Sequence, residues 1–203
     1  DIEFHSDRSM LVADFDDAGE QAVIVFADQD PAVIVDLTTL EARPLDGADG
    51  IVAAAFTPDG GEIVAIIDSG SIWTFNAETL DPARELEGLD RTIGEIVVPP
   101  IFDPTGQLMY ADADGSARVW HLASGRLIGK PFPSEPGGVP SGRAGTNELR
   151  IVTPHDELAL LWNLRVDEWA QIACRAAGRN MTEAESSSVG SKPAEYRETC
   201  PGL

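Results

Sequence analysis

The chain sets its apolar residues in short blocks, each closed by a turn signal. Ala22-Val-Ile-Val-Phe26, Ile51-Val-Ala-Ala-Ala-Phe56, Ile63-Val-Ala-Ile-Ile67 and Leu158-Ala-Leu-Leu-Trp162 are such blocks, and Pro-Asp-Gly, Asp-Gly and Pro-Thr-Gly punctuate the gaps. Blocks this short, rich in Val, Ile and Phe, predict buried β-strands. The pattern gives strands over 11–15, 22–26, 32–37 and 40–45, then 51–56, 62–67, 71–76 and 83–86. It continues with 95–102, 108–111, 117–122 and 126–132, and ends with 149–153 and 158–164. A shorter candidate strand, Ile2-Glu-Phe4, precedes them all. Pro131 to Gly145, dense in Pro and Gly, reads as a loop insertion or an irregular inner strand. The period changes once. Trp169, Ile172, Ala173 and Ala176 fall at helical spacing, with Gly178 as a stop, which predicts a helix over 166–178.

The strands repeat. Within Ala32–Leu37, Ser71–Asn76, Ala117–Leu122 and Leu158–Asn163, the residue before the last polar one is Val35, Phe75, Trp120 and Trp162, at steps of 40, 45 and 42 residues. A second landmark, Phe15-Asp-Asp-Ala-Gly19, Phe56-Thr-Pro-Asp-Gly60 and Phe102-Asp-Pro-Thr-Gly106, recurs at steps of 41 and 46. Two landmarks with one period mark units of several short strands, none able to bury both faces alone. The repeats resemble those of WD40 proteins over Met10 to Leu164. The Trp-Asp signature stands as Val35-Asp36, Phe75-Asn76, Trp120-His121 and Trp162-Asn163; the opening Gly-His pair is missing throughout. The family's turn aspartate matches Asp114, Asp68, Asp30 and Asp156. The resemblance implies an all-β fold: a WD40-like β-propeller of about four blades, with a short C-terminal helix and tail. The blades are expected at 10–46, 51–88, 94–133 and 139–165, the tail at 166–203, and residues 1–9 as the outer strand of a preceding or closing blade. The fourth blade lacks an outer strand, and the first residue is Asp1. The chain is therefore expected to be part of a larger propeller, with a four-bladed ring closed by Ile2 to Phe4 as the alternative.

The tail carries its own pattern: Trp169, then Cys174-Arg-Ala-Ala-Gly-Arg-Asn-Met-Thr182, then Tyr196-Arg-Glu-Thr-Cys-Pro201. It resembles the C-terminal end of WD40 regions in large actinobacterial signalling proteins that carry a STAND-type ATPase, DNA-binding or kinase module upstream. The resemblance implies a scaffold or sensor in the cytoplasm and no catalysis in this segment. Where that family has Glu-Trp, this chain has Glu183-Ala-Glu-Ser186. Cys174 and Cys200 are the only cysteines. Two readings stand: a disulfide pinning the tail to the helix, or two reduced thiols, the default in a cytoplasmic protein.

Charge narrows the partners. The chain of 203 residues has 35 acidic against 14 basic residues, a formal net charge of −21. Nucleic acid and anionic lipid need cationic footprints, so neither is expected. No apolar run reaches the length of a membrane span. Gly125-Arg-Leu-Ile-Gly-Lys130 falls one residue short of a phosphate loop, and Pro131 replaces its Ser or Thr. Asp112-Ala-Asp-Gly115 and Asp14-Phe-Asp-Asp-Ala-Gly19 do not continue to a calcium loop's last acid. No hydrolase motif occurs, and no metal or cofactor is expected. The expected function is non-catalytic protein–protein interaction through turns at one face of the propeller: Asp28, Asp30, Asp68, Asp112, Asp114, His155 and Asp156, with Gln29 and Ser69 beside them. Their acidity points to a basic peptide or protein surface. Self-association, or a second chain completing the ring, is a further expectation. The alternative is a propeller enzyme or small-ligand sensor using the clustered aspartates.

Overall fold

The computed structural model describes residues 10–27, 31–89, 98–113, 116–134, 140–145 and 148–188, with 198 and 200. Two units are distinguished, 1–163 and 164–203.

In the first unit the chain builds four antiparallel sheets in succession. The first holds β1 (Met10–Phe15), β2 (Gln21–Phe26), β3 (Val33–Asp36) and β4 (Ala42–Pro44), paired in chain order. The second repeats this with β5 (Ile51–Phe56), β6 (Glu62–Ile67), β7 (Ile72–Asn76) and β8 (Pro82–Leu86). The third has β9 (Ile101–Phe102), β10 (Leu108–Ala113), β11 (Ser116–His121) and β12 (Arg126–Leu127). The fourth has β13 (Ser141–Ala144), β14 (Leu149–His155) and β15 (Leu158–Leu164), with no further strand among the described residues. Of the Pro/Gly-rich stretch before it, Ser141–Ala144 is an inner strand. Ile2 to Phe4 lies outside the described residues.

Burial on two faces explains why the strands read as continuous apolar runs. In β6, Ile63 and Ala65 pack toward the first sheet with Val23, Val25, Ile34 and Phe75. Val64 and Ile66, on the opposite face, pack toward the third with Met109, Ala111 and Trp120. Successive side chains point to opposite faces, so a strand between two neighbours needs an apolar residue at every position. Three alanines, Ala53 to Ala55, sit almost fully buried in β5, the strand packed against β1 and β2.

The second landmark is a hairpin cap made three times. The residue after each Phe takes the amide five residues on: Gln21 N–H donates to Asp16 at 2.9 Å, Glu62 N–H to the Thr57 hydroxyl at 3.0 Å, Leu108 N–H to Asp103 at 2.7 Å. The signature position closes another turn. Asp36 Oδ1 accepts the amides of Thr38 and Thr39, and Asn76 Oδ1 those of Glu78 and Thr79. His121 Nδ1 instead meets Ser124 Oγ at 2.9 Å. Buried Trp120 donates its Nε1 hydrogen to Glu87 O at 2.8 Å, and half-buried Trp162 donates its own to Thr153 Oγ1 at 3.0 Å.

Two arginines tie neighbouring sheets together. Arg43 on β4 donates to the Glu78 carbonyl at 2.9 Å, and Arg84 on β8 to the Ala123 carbonyl at 3.2 Å. They hold equivalent places, opposite Ile34 and Thr74. In the third sheet that place belongs to Ile128, whose amide donates to Val119 O.

The second unit explains its motif locally. Helix α1 (Val166–Ala177) ends at Gly178, whose φ of 63° lets its amide reach Cys174 O. Helix α2 (Glu183–Ser188) opens with a capping box: Thr182 Oγ1 accepts Glu185 N–H at 3.2 Å and Glu185 accepts Thr182 N–H at 2.8 Å. Arg179 grips both oxygens of Glu185, and these bonds hold its carboxyl down at about 2. Cys174 and Cys200 form a disulfide, and Asn180 Oδ1 accepts Cys200 N–H at 2.6 Å. Among the described residues no helix is long and apolar enough to cross a membrane.

Candidate functional site

Of the turn residues singled out in the sequence, Asp68 and Asp156 lie in the hairpins between the second and third strands of their sheets. Asp28, Asp30 and Asp114 lie outside the described residues, as does Gln29. Asp112 lies on β10, its backbone opposite Ala117. Asp68 starts the β6–β7 turn, where its amide donates to Gly50 O at 2.9 Å. Gly50 has a φ of 73°, and a Cβ there would stand 2.8 Å from Asp68 Oδ1, so glycine is what seats that carboxylate. His155 ends β14, with Nδ1 3.4 Å from Asp156 Oδ2; the two side chains are 48% and 86% exposed. Asp156 takes a positive φ of 51°, uncommon for a residue other than glycine. No hydrogen bond or ion pair among the described residues joins Asp68 to the His155–Asp156 pair, and neither lines a described cleft. Paired-carboxylate chemistry needs two carboxyl groups across a shared pocket; among the described residues, Asp68 and Asp156 share none of these clefts.

At the other end of the sheets, a cleft of about 410 Å³ takes lining from all four. Phe15, Phe56 and Phe102 end β1, β5 and β9, and Ala144 ends β13. Phe56 and Phe102 are buried, whereas Phe15 is 60% exposed. Asp14 reaches from β1 to the second sheet, where Oδ2 accepts Phe56 N–H at 3.0 Å. Burial pushes its carboxyl above the ordinary aspartate range, against the pull of the Phe56 and Phe15 amides. Asp103 is 8% exposed, its oxygens taken by Leu108 N–H and, at 2.5 Å, by the Thr105 hydroxyl. The sequence hid this cleft because it is assembled from strand ends roughly 45 residues apart, a tertiary convergence rather than a motif. The recurring Phe before each turn was its one legible trace.

No protein-family model and no curated protein sequence matches the chain. Solved structures do. The computationally designed Ika4 protein is similar at TM-score 0.61 and 18% identity, over 81% of this chain and 96% of that one. Hydrazine synthase from Kuenenia stuttgartiensis matches at TM-score 0.59 and 13% identity, over 82% of this chain and 49% of that one. The WD40 repeats of RRP9 match at TM-score 0.57 and 13% identity, over 78% of this chain and 52% of that one. The chain thus spans about half the length of these last two. Identities this low speak to fold alone, and with the four successive sheets they establish an all-β, WD40-like β-propeller of about four blades with a short C-terminal helix and tail.

Proposed function

We propose that this chain is a non-catalytic propeller module that binds another protein through its second-to-third-strand hairpins. The observation that carries the reading is the equivalent placement of those hairpins, sheet after sheet, with exposed carboxylates at Asp156 and a half-buried one at Asp68. Rigid sheets that present loops at one end are a common binding platform. With a formal net charge of −21, the favoured partner is a basic peptide or protein surface. The blades are assigned to 10–46, 51–88, 94–133 and 139–165, and residues 1–9 to the outer strand of a preceding or closing blade. The motif around Cys174 to Thr182 supports a scaffold or sensor role within a larger bacterial signalling protein of the cytoplasm. The test is capture of partners from a lysate at low and high salt, with the wild type and an Asp68→Lys, Asp156→Lys variant. Partners lost at high salt and lost by the variant support the reading. Retention in both cases overturns it.

A further inference from the structure

We propose that the four-sheet cleft binds an arginine side chain presented by a protein partner, at the end of the propeller opposite the hairpins just discussed. The polar groups lining the cleft differ in how far their partners satisfy them. The Thr57 hydroxyl donates to Asp59 and accepts Glu62 N–H, and Asp103, only 8% exposed, accepts one bond on each oxygen within its own turn. Asp14 takes backbone amides alone, and Asp17 makes no hydrogen bond or ion pair among the described residues. Two carboxylates therefore face a cleft in which no described lining residue is a cation. A half-buried carboxylate without a counter-charge favours an incoming cation, and the raised proton affinity of Asp14 is consistent with that vacancy in charge.

The apolar part selects the kind of cation. Phe15 leaves 60% of its surface open beside Asp14, with Phe56 and Phe102 beneath. A planar, weakly hydrated guanidinium stacks on a phenyl ring while donating in its plane to a carboxylate; a compact ammonium does this less well. The cleft's volume of about 410 Å³ accommodates one long side chain and leaves the peptide backbone at its mouth.

The probe is acetyl-Gly-Arg-Gly-amide, titrated into the full chain and followed by backbone NMR shifts, with the citrulline and lysine peptides as controls. Saturable shifts at Phe15, Phe56 and Ala144 are expected for the arginine peptide, weaker ones for lysine and none for citrulline. Asp14→Asn keeps an acceptor for Phe56 N–H and is expected to weaken binding by about tenfold, as loss of a charge-assisted contact does. Phe15→Ala, at an exposed position, is expected to weaken it by about threefold. Asp17→Asn, fully surface-borne, serves as a second charge variant that leaves the fold untouched. Equal binding of citrulline, unchanged affinity in Asp14→Asn and Asp17→Asn, or shifts confined to Asp68, His155 and Asp156 would each overturn the proposal. The hairpin reading is tested by other residues and survives or fails independently.

Discussion

At the scale of single residues, the contacts that decide most are those where a side chain meets another sheet. A Cβ at Gly142 would stand 2.7 Å from Tyr110 Cε1 and overlap the ring further along. β13 therefore approaches the third sheet as closely as its backbone permits. Gly142→Ala is expected to cost about 1–3 kcal/mol, the usual range for overpacking, read as a lower urea midpoint at unchanged slope. An unaltered midpoint would show that the ring moves aside freely. Asp14 sits in the opposite situation, a carboxyl whose ionised form is disfavoured by burial. Its folded-state proton affinity exceeds the unfolded one. Its contribution to stability is thus present at low pH and lost as pH rises through the ordinary aspartate range and then the raised folded value. Asp14→Asn removes that loss. The stability difference, variant minus wild type, is expected to grow in the variant's favour from about pH 3 to 7, measured by urea denaturation at each pH. A difference that is flat, or shrinks, contradicts the assignment.

Elements were legible in the sequence in proportion to how they are buried. Ile51–Phe56 and Glu62–Ile67 coincide with the predicted strands because residues 51–56 and 63–67 are apolar throughout and covered on two faces. Outer strands have no such constraint. β4 is exposed along its length and spans Ala42–Pro44 where the pattern suggested 40–45, and the run read as 126–132 narrows to Arg126–Leu127 with one bridge from Phe132. The inter-sheet arginines were invisible for a related reason: a solvated Arg on a polar edge looks like any surface charge until its partner carbonyl is known. Their geometry makes a comparative prediction. Arg84 is only about one-third exposed and also lies 3.5 Å from Glu62, while Arg43 is more open. Arg84→Ala is expected to destabilise by about 1 kcal/mol, allowing for solvent screening, and Arg43→Ala by less. Ile128→Ala removes no such bond, only apolar contact. Thermal midpoints of the three variants check this order; equal losses for Arg43→Ala and Arg84→Ala would contradict it, and unchanged midpoints in both would remove the arginines from any role in joining sheets.

At the scale of the whole molecule, the fourth sheet sets the behaviour in solution. β3, β7 and β11 each pair with an outer strand and are largely buried. β15 is as apolar as they are, yet Leu158 is 70% exposed, Leu161 65% and Val152 on β14 38%. Among the described residues β15 has no outer partner; an apolar strand with such an edge is a template for another strand, and the exposed leucines add a hydrophobic incentive. Light scattering after size exclusion is therefore expected to give a mass above 21.6 kDa that falls on dilution. Leu161→Lys places a charge on that edge and is expected to return the mass to the single-chain value, because edge lysines block strand addition. A wild-type chain that stays at 21.6 kDa at every concentration contradicts this, and removal of residues 1–9 then separates the remaining explanations. If the shortened chain associates, those residues cover the edge. If it stays monomeric, the exposed leucines are tolerated, as a chain with formal net charge −21 permits when self-repulsion outweighs the apolar gain.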